Sequence, residues 1–172
     1  MGKLAVFVDN DALFRALHEM GRSWRFDYKR LRDYLLLQRK SVVLRIYCGE
    51  VRDDPPRRRK FYEVLQRSGF EVVRSYQERS RAANAAFDSL GREKLHVLLG
   101  FDLADQYHRC HYDHLLLVAC DVCLRKPVKE LRHRGVRIEL VFFDDLCEDL
   151  RKCADEFRSL RRDGLGLDEV RT

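Results

Sequence analysis

Two segments far apart in the chain, Leu4-Ala5-Val6-Phe7-Val8 and Leu115-Leu116-Leu117-Val118-Ala119-Cys120, are apolar at every position, and each runs into an aspartate, Asp9 and Asp121. A strand with no polar alternation is buried on both faces, which is the condition of a parallel sheet covered by helices. Residues 42–48, 70–75 and 136–143 read as three further strands. Apolar residues recur at helical spacing between them. The expected helices are 11–20, ended by Gly21; one capped by Asp27 and reaching about Gln38; one entered from Asp53-Asp54-Pro55-Pro56 and closed at Ser68-Gly69; 95–107; and 127–133, ended by Gly135. A closing helix is expected over 145–160, with Leu146, Leu150, Cys153, Phe157 and Leu160 on one side. Residues 77–93 read as a loop with room for a helical turn over 82–90. This alternation predicts an α/β fold, a Rossmann-like α/β/α sandwich with a mostly parallel central sheet of about five strands.

The length of 172 residues suits one domain over 1–160, followed by a polar tail at 161–172. No apolar run is long enough to cross a bilayer, and the N-terminus lacks a signal pattern, so no membrane partner and a cytoplasmic location are expected. The six cysteines are read as reduced. A formal net charge of +6 favours a polyanionic partner, nucleic acid being the usual one.

The carboxyl ends of strands in an open parallel sheet line the crevice where ligands bind. Asp9 and Asp121 belong there, and Asp102 lies in the apolar stretch between them. Converging carboxylates suit a hard divalent cation, and such a cation suits phosphodiester chemistry.

A series of motifs then appears in order. They are Val6-Phe7-Val8-Asp9-Asn10-Asp11-Ala12-Leu13-Phe14, Phe26-Asp27-Tyr28-Lys29-Arg30-Leu31, Leu44-Arg45-Ile46-Tyr47-Cys48-Gly49, the helix-Gly-strand unit Phe61 to Val73, His96-Val97-Leu98-Leu99-Gly100-Phe101-Asp102, Ala119-Cys120-Asp121-Val122-Cys123-Leu124, and Ala154-Asp155-Glu156-Phe157. In order and spacing the chain resembles the NYN family of PIN-like domains, the LabA-like branch in particular, from Val6 to about Leu160. The resemblance implies a PIN-type sandwich and, for many members, ribonuclease activity dependent on Mg²⁺ or Mn²⁺. Asp9, Asp102 and Asp121 match family acids and become the catalytic and metal-binding candidates. Three positions depart from the family pattern: Ala12 stands for an Asn, His96 for an Asp, and Cys123 for the second Asp of an Asp-x-Asp pair.

Those departures set the alternatives. Asp11 either replaces the polar group lost at Ala12 or caps the first helix, and the cap is preferred. His96 and Cys123 could make a softer site for Zn²⁺ or Mn²⁺ with Asp9 and Asp121, but structural cysteines that fill space left by lost acids are preferred. Asp102 lies six residues beyond His96, about 240° around an ideal helix, so the two cannot both point into one pocket. Asp155 reads as structural, and His108, His111 and His114 as a solvated polar connection.

Arg57, Arg58, Arg59 and Lys60 begin a helix, where cations oppose the macrodipole, which suggests phosphate contact. Arg79, Arg81, Arg92 and Lys94 lead toward the acidic cleft and are read as tracking a nucleic-acid backbone. Two functions follow. One is a metal-dependent, RNA-binding hydrolase. The other is a catalytically degenerate NYN domain that serves as a nucleic-acid-binding or protein-interaction module. Whether a homo-oligomer or a protein partner is also involved stays open.

Overall fold

The computed structural model describes residues 2–19, 24–25, 27–51, 56–77, 86–143, 147–160 and 168–169. Strand β1 (Leu4–Asp9) is buried along its whole length, as its unbroken apolar sequence requires. It pairs in parallel with β3 (Ser41–Val51) on one side and with β5 (His114–Val118) on the other. Strand β4 (Glu71–Gln77) extends the sheet beyond β3. Strands β6 (Arg137–Phe142) and β7 (Glu156–Ser159) extend it beyond β5, giving six parallel strands in the order β4-β3-β1-β5-β6-β7. Connections from β1 to β4 step outward one way and those from β5 to β7 the other. The order reverses between β1 and β5, which is where open α/β sheets place their ligand crevice.

Helices α1 (Asn10–Glu19), α2 (Tyr28–Leu36) and α3 (Pro56–Arg67) form one layer. Phe61 of α3 meets both Phe14 of α1 and Tyr28 of α2 edge to face. Asp27 caps α2, accepting from the N–H groups of Lys29 and Arg30 as its position in the sequence predicts. The opposite layer holds α4 (Ala86–Cys110) and α5 (Arg125–His133), the latter preceded by a 3₁₀ turn at Val122–Leu124. The stretch read as a loop over 77–93 is therefore helical from Ala86 onward.

The expected closing helix is not formed. Helix α6 (Glu148–Arg151) is a single turn, and the chain then enters β7. Spacing at 150, 153, 157 and 160 records which residues are buried, not the backbone that buries them. Strand β6 is buried over Ile138–Phe142 and would otherwise leave a row of unpaired backbone groups at its edge. β7 covers that edge. Asp155, structural as expected, stands just before it and accepts from Ile138 N–H at 2.8 Å and Arg132 at 2.7 Å. In the tail, β8 (Asp168–Glu169) pairs antiparallel with β2 (Trp24–Arg25).

At the far end of the sheet, Glu139 is buried and accepts from Arg39 at 3.0 Å and Arg158 at 2.8 Å. Both arginines also donate to Leu35 O at the C-terminus of α2. His114 belongs to this cluster, 3.4 Å from Glu139, rather than to a solvated connection; His108 and His111 are exposed. The predicted helix stop at Gly21 and the Asp53-Asp54-Pro55 turn lie outside the described residues.

Candidate functional site

Asp9 ends β1 with no solvent exposure, on the face covered by α4. A buried carboxylate without partners costs several kcal/mol, and two donors meet this one. Ala12 N–H donates to Oδ1 at 2.9 Å, which makes Asp9 the N-cap of α1. His96 Nε2, from α4, lies 2.9 Å from Oδ2. Asp11 is consequently not the cap. Its carboxylate accepts from Gly49 N–H at 3.1 and 3.2 Å and ties the first turn of α1 to the end of β3. Burial raises the Asp11 carboxyl above its ordinary range, against the opposing pull of that N–H.

The second ring nitrogen of His96, Nδ1, faces Asp121 Oδ2 at 3.3 Å. Asp121 lies just beyond β5 and caps the 3₁₀ turn, accepting from Cys123 N–H at 2.9 Å. Burial works to raise its carboxyl, but the hydrogen bonds from Cys123, with His96 and Arg15 nearby, outweigh burial and hold it below the usual range. Cys123 is exposed as a residue, yet desolvation of its sulfur, with Asp121 adding to it, pushes the thiol up to about 12. The ligand atoms of His96, Asp121 and Cys123 all lie within 4.8 Å of one another, the only such group of three among the described residues. They open onto a cavity of about 600 Å³ with Val97, Gly100, Leu124 and Pro127 as its apolar wall.

Asp102 is not part of this group. Its carboxylate is turned to β3, where Tyr47 O–H donates at 2.7 Å and Arg45 at 3.1 Å. Of the two side chains that helix geometry forced apart, His96 faces the crevice and Asp102 braces the sheet. The expected aspartate trio is thus a pair, Asp9 and Asp121, joined by an imidazole. A Mg²⁺ ion wants near-octahedral oxygen donors. Here the imidazole stands between the two carboxylates, and the other oxygen of each already accepts a backbone N–H, so these residues do not fit such an ion. The nitrogen, oxygen and sulfur donors of His96, Asp121 and Cys123 suit a softer one.

Among the predicted basic residues, Arg58 lies within electrostatic reach of Asp11, and Arg59, Lys60 and Lys94 are exposed. The side chains of Arg57 and Arg92, and all of Arg79 and Arg81, lie outside the described residues. Sequence reasoning missed a better placed set. Arg125, Lys126, Lys129 and His133 of α5 line a groove of about 470 Å³ that adjoins Val122 and Cys123. Within the described residues, the side chains of Arg125, Lys126 and Lys129 have no ion-pair or hydrogen-bond partner. The signal was present as cations at helical spacing around two apolar anchors, Val128 and Leu131. Arg15 was also missed: its Nη2 is buried and has no hydrogen-bond partner among the described residues, while its charge reaches Asp11, Asp121 and Cys120.

Residues 3–161 match the family model described as the NYN domain. No curated protein matches the chain. A solved structure of a protein of unknown function from Vibrio parahaemolyticus RIMD 2210633 superposes with a TM-score of 0.74 at 23% identity, covering 95% of this chain and 96% of that one. At that identity the likeness speaks for the fold. No helix among the described residues is long and apolar enough to cross a membrane.

Proposed function

Because this chain belongs to the NYN domain family, we propose that it binds RNA and hydrolyses phosphodiester bonds with the help of a divalent ion. The observation that carries the reading is the place of Asp121, His96 and Cys123. They sit at the switch point of the sheet, open to a cavity, with the unpaired cations of α5 on the adjoining groove. In this reading Arg125, Lys126 and Lys129 hold the RNA backbone, and the charge of Arg15 adds to the positive field at Asp121. Water adds to phosphorus, one P–O ester bond breaks, and the departing oxygen takes up a proton, leaving a phosphate monoester and an alcohol. A bound ion supplies an activated water and offsets charge on the phosphate. Asp121, His96 and Cys123 would hold it, and Asp9 orients His96. Asp102 contributes stability through Tyr47 and Arg45. The test is cleavage of single-stranded RNA by metal-reconstituted protein, lost in Asp121→Asn. Undiminished cleavage by that variant would refute the assignment.

One observation favours a second reading. A single added proton on His96 lets the ring donate to both Asp9 and Asp121, satisfying the acidic pair with no metal at all. The protein would then be an RNA-binding module without turnover. Salt-sensitive RNA binding with no cleavage in any divalent ion selects this alternative.

A further inference from the structure

We propose that His96 Nδ1, Asp121 and Cys123 form a three-ligand site for a borderline divalent ion of the zinc class, with the fourth position open to the cavity. The inference rests on the proposed hydrolase for the ion's use and names its chemistry, which differs from the hard, all-carboxylate site that the family resemblance implies.

Geometry carries it. Nε2 of His96 lies 2.9 Å from a fully buried carboxylate oxygen of Asp9, so the Nε2 position carries the hydrogen. In the neutral ring Nδ1 then presents a lone pair toward Asp121 Oδ2, itself an acceptor, 3.3 Å away. Two acceptors at this separation need a positive charge between them, a proton on the ring or a metal ion, and the neighbouring Cys123 sulfur at the mouth of the cavity favours the metal. The separation matches a metal: tetrahedral ligands about 2.0–2.1 Å from zinc stand about 3.3–3.5 Å apart. The sulfur of Cys123 completes the set within 4.8 Å. Cys123 N–H binds Asp121 Oδ1, which leaves Oδ2 turned to the ring. A histidine that ligates through one nitrogen and donates through the other to a buried carboxylate is how proteins orient metal-bound imidazole. Nitrogen and sulfur donors select against Mg²⁺, and three protein ligands with an open fourth position is the arrangement of reactive rather than structural zinc.

The test is a titration of the chelator-treated, reduced 172-residue chain with Co²⁺, followed by displacement with Zn²⁺. One equivalent of Co²⁺ is expected to produce thiolate-to-cobalt absorption and intense tetrahedral visible bands. Stoichiometric Zn²⁺ should erase both, and a thousandfold excess of Mg²⁺ should erase neither. Cys123→Ser, a surface change, is expected to remove the thiolate absorption. Asp9→Asn retains both hydrogen-bond positions and is expected to weaken Zn²⁺ binding on the order of 10- to 100-fold. The absence of a cobalt spectrum, or one unchanged in Cys123→Ser, overturns the site. Metal binding without RNA cleavage upholds the site and defeats the hydrolase. Mg²⁺-driven cleavage by protein that gives no cobalt spectrum does the reverse.

Discussion

Replacing Asp9 should reveal how much of the fold hangs on one buried carboxylate. Asp9→Ala removes the cap on α1, which alone is worth about 1 kcal/mol. It also strips the buried acceptor from His96 Nε2, and leaving a buried donor unsatisfied costs about 1–3 kcal/mol. The two losses share one side chain and do not add fully, so Asp9→Ala is expected to lose about 2–4 kcal/mol. Asp9→Asn behaves differently. Its amide oxygen still caps Ala12 N–H, and its NH₂ still meets Nε2 once the imidazole carries its hydrogen on Nδ1. A loss of about 1–2 kcal/mol is expected, the share of a charge-assisted bond over a neutral one. Urea unfolding monitored by circular dichroism, with m-values held in common, gives both numbers. A domain of ordinary stability, about 5–15 kcal/mol, keeps the Asn variant folded. Less than about 1 kcal/mol for Asp9→Ala, or equal losses for both variants, would refute the view of Asp9 as joint cap and histidine anchor.

Asp102→Asn is expected to lower stability by about 1–3 kcal/mol through Tyr47 and Arg45 while leaving Co²⁺ binding intact; weakened metal binding in the folded variant would return Asp102 to the site. For Glu139, burial favours the neutral acid, but His114, Arg158 and Arg39 together hold the carboxyl down at about 2, from 4.5. A depressed pKa contributes stability above the unfolded value that is lost as pH falls through the folded one. Unfolding free energy should therefore decline from about pH 4.5 toward pH 2 in part through this group, and Glu139→Gln should flatten that part of the profile while lowering stability at pH 7. Arg125→Gln/Lys126→Gln/Lys129→Gln is expected to weaken single-stranded RNA binding and to reduce the slope of log affinity against log salt by up to about 2, with no change in unfolding temperature. An unchanged salt slope would take the RNA off α5.

Much of the site was legible because strand-end acids in a parallel sheet must share one edge. Asp9 and Asp121 were found that way, and they do share it. Asp11 was misread because Asp9, two residues earlier, also reaches the N–H groups of α1, and nothing in sequence spacing says which acid turns toward them. The cations of α5 were passed over because a short charged helix looks alike whether it faces solvent or a crevice. The closing helix failed for a related reason: residues 150, 153, 157 and 160 satisfy the burial needs of a turn followed by an edge strand equally well.

By itself the sequence determined that the core is a parallel sheet, since runs such as Leu4–Val8 and Leu115–Cys120 leave no face for water. It also determined that His96 and Asp102 point apart, since six residues on a helix cannot do otherwise. Only the tertiary structure decided which of the two enters the crevice, and that α4 lies so as to put an imidazole between two carboxylates. Periodicity is a local property of the backbone, whereas the rotation of a helix against its sheet is set by the packing of every side chain between them.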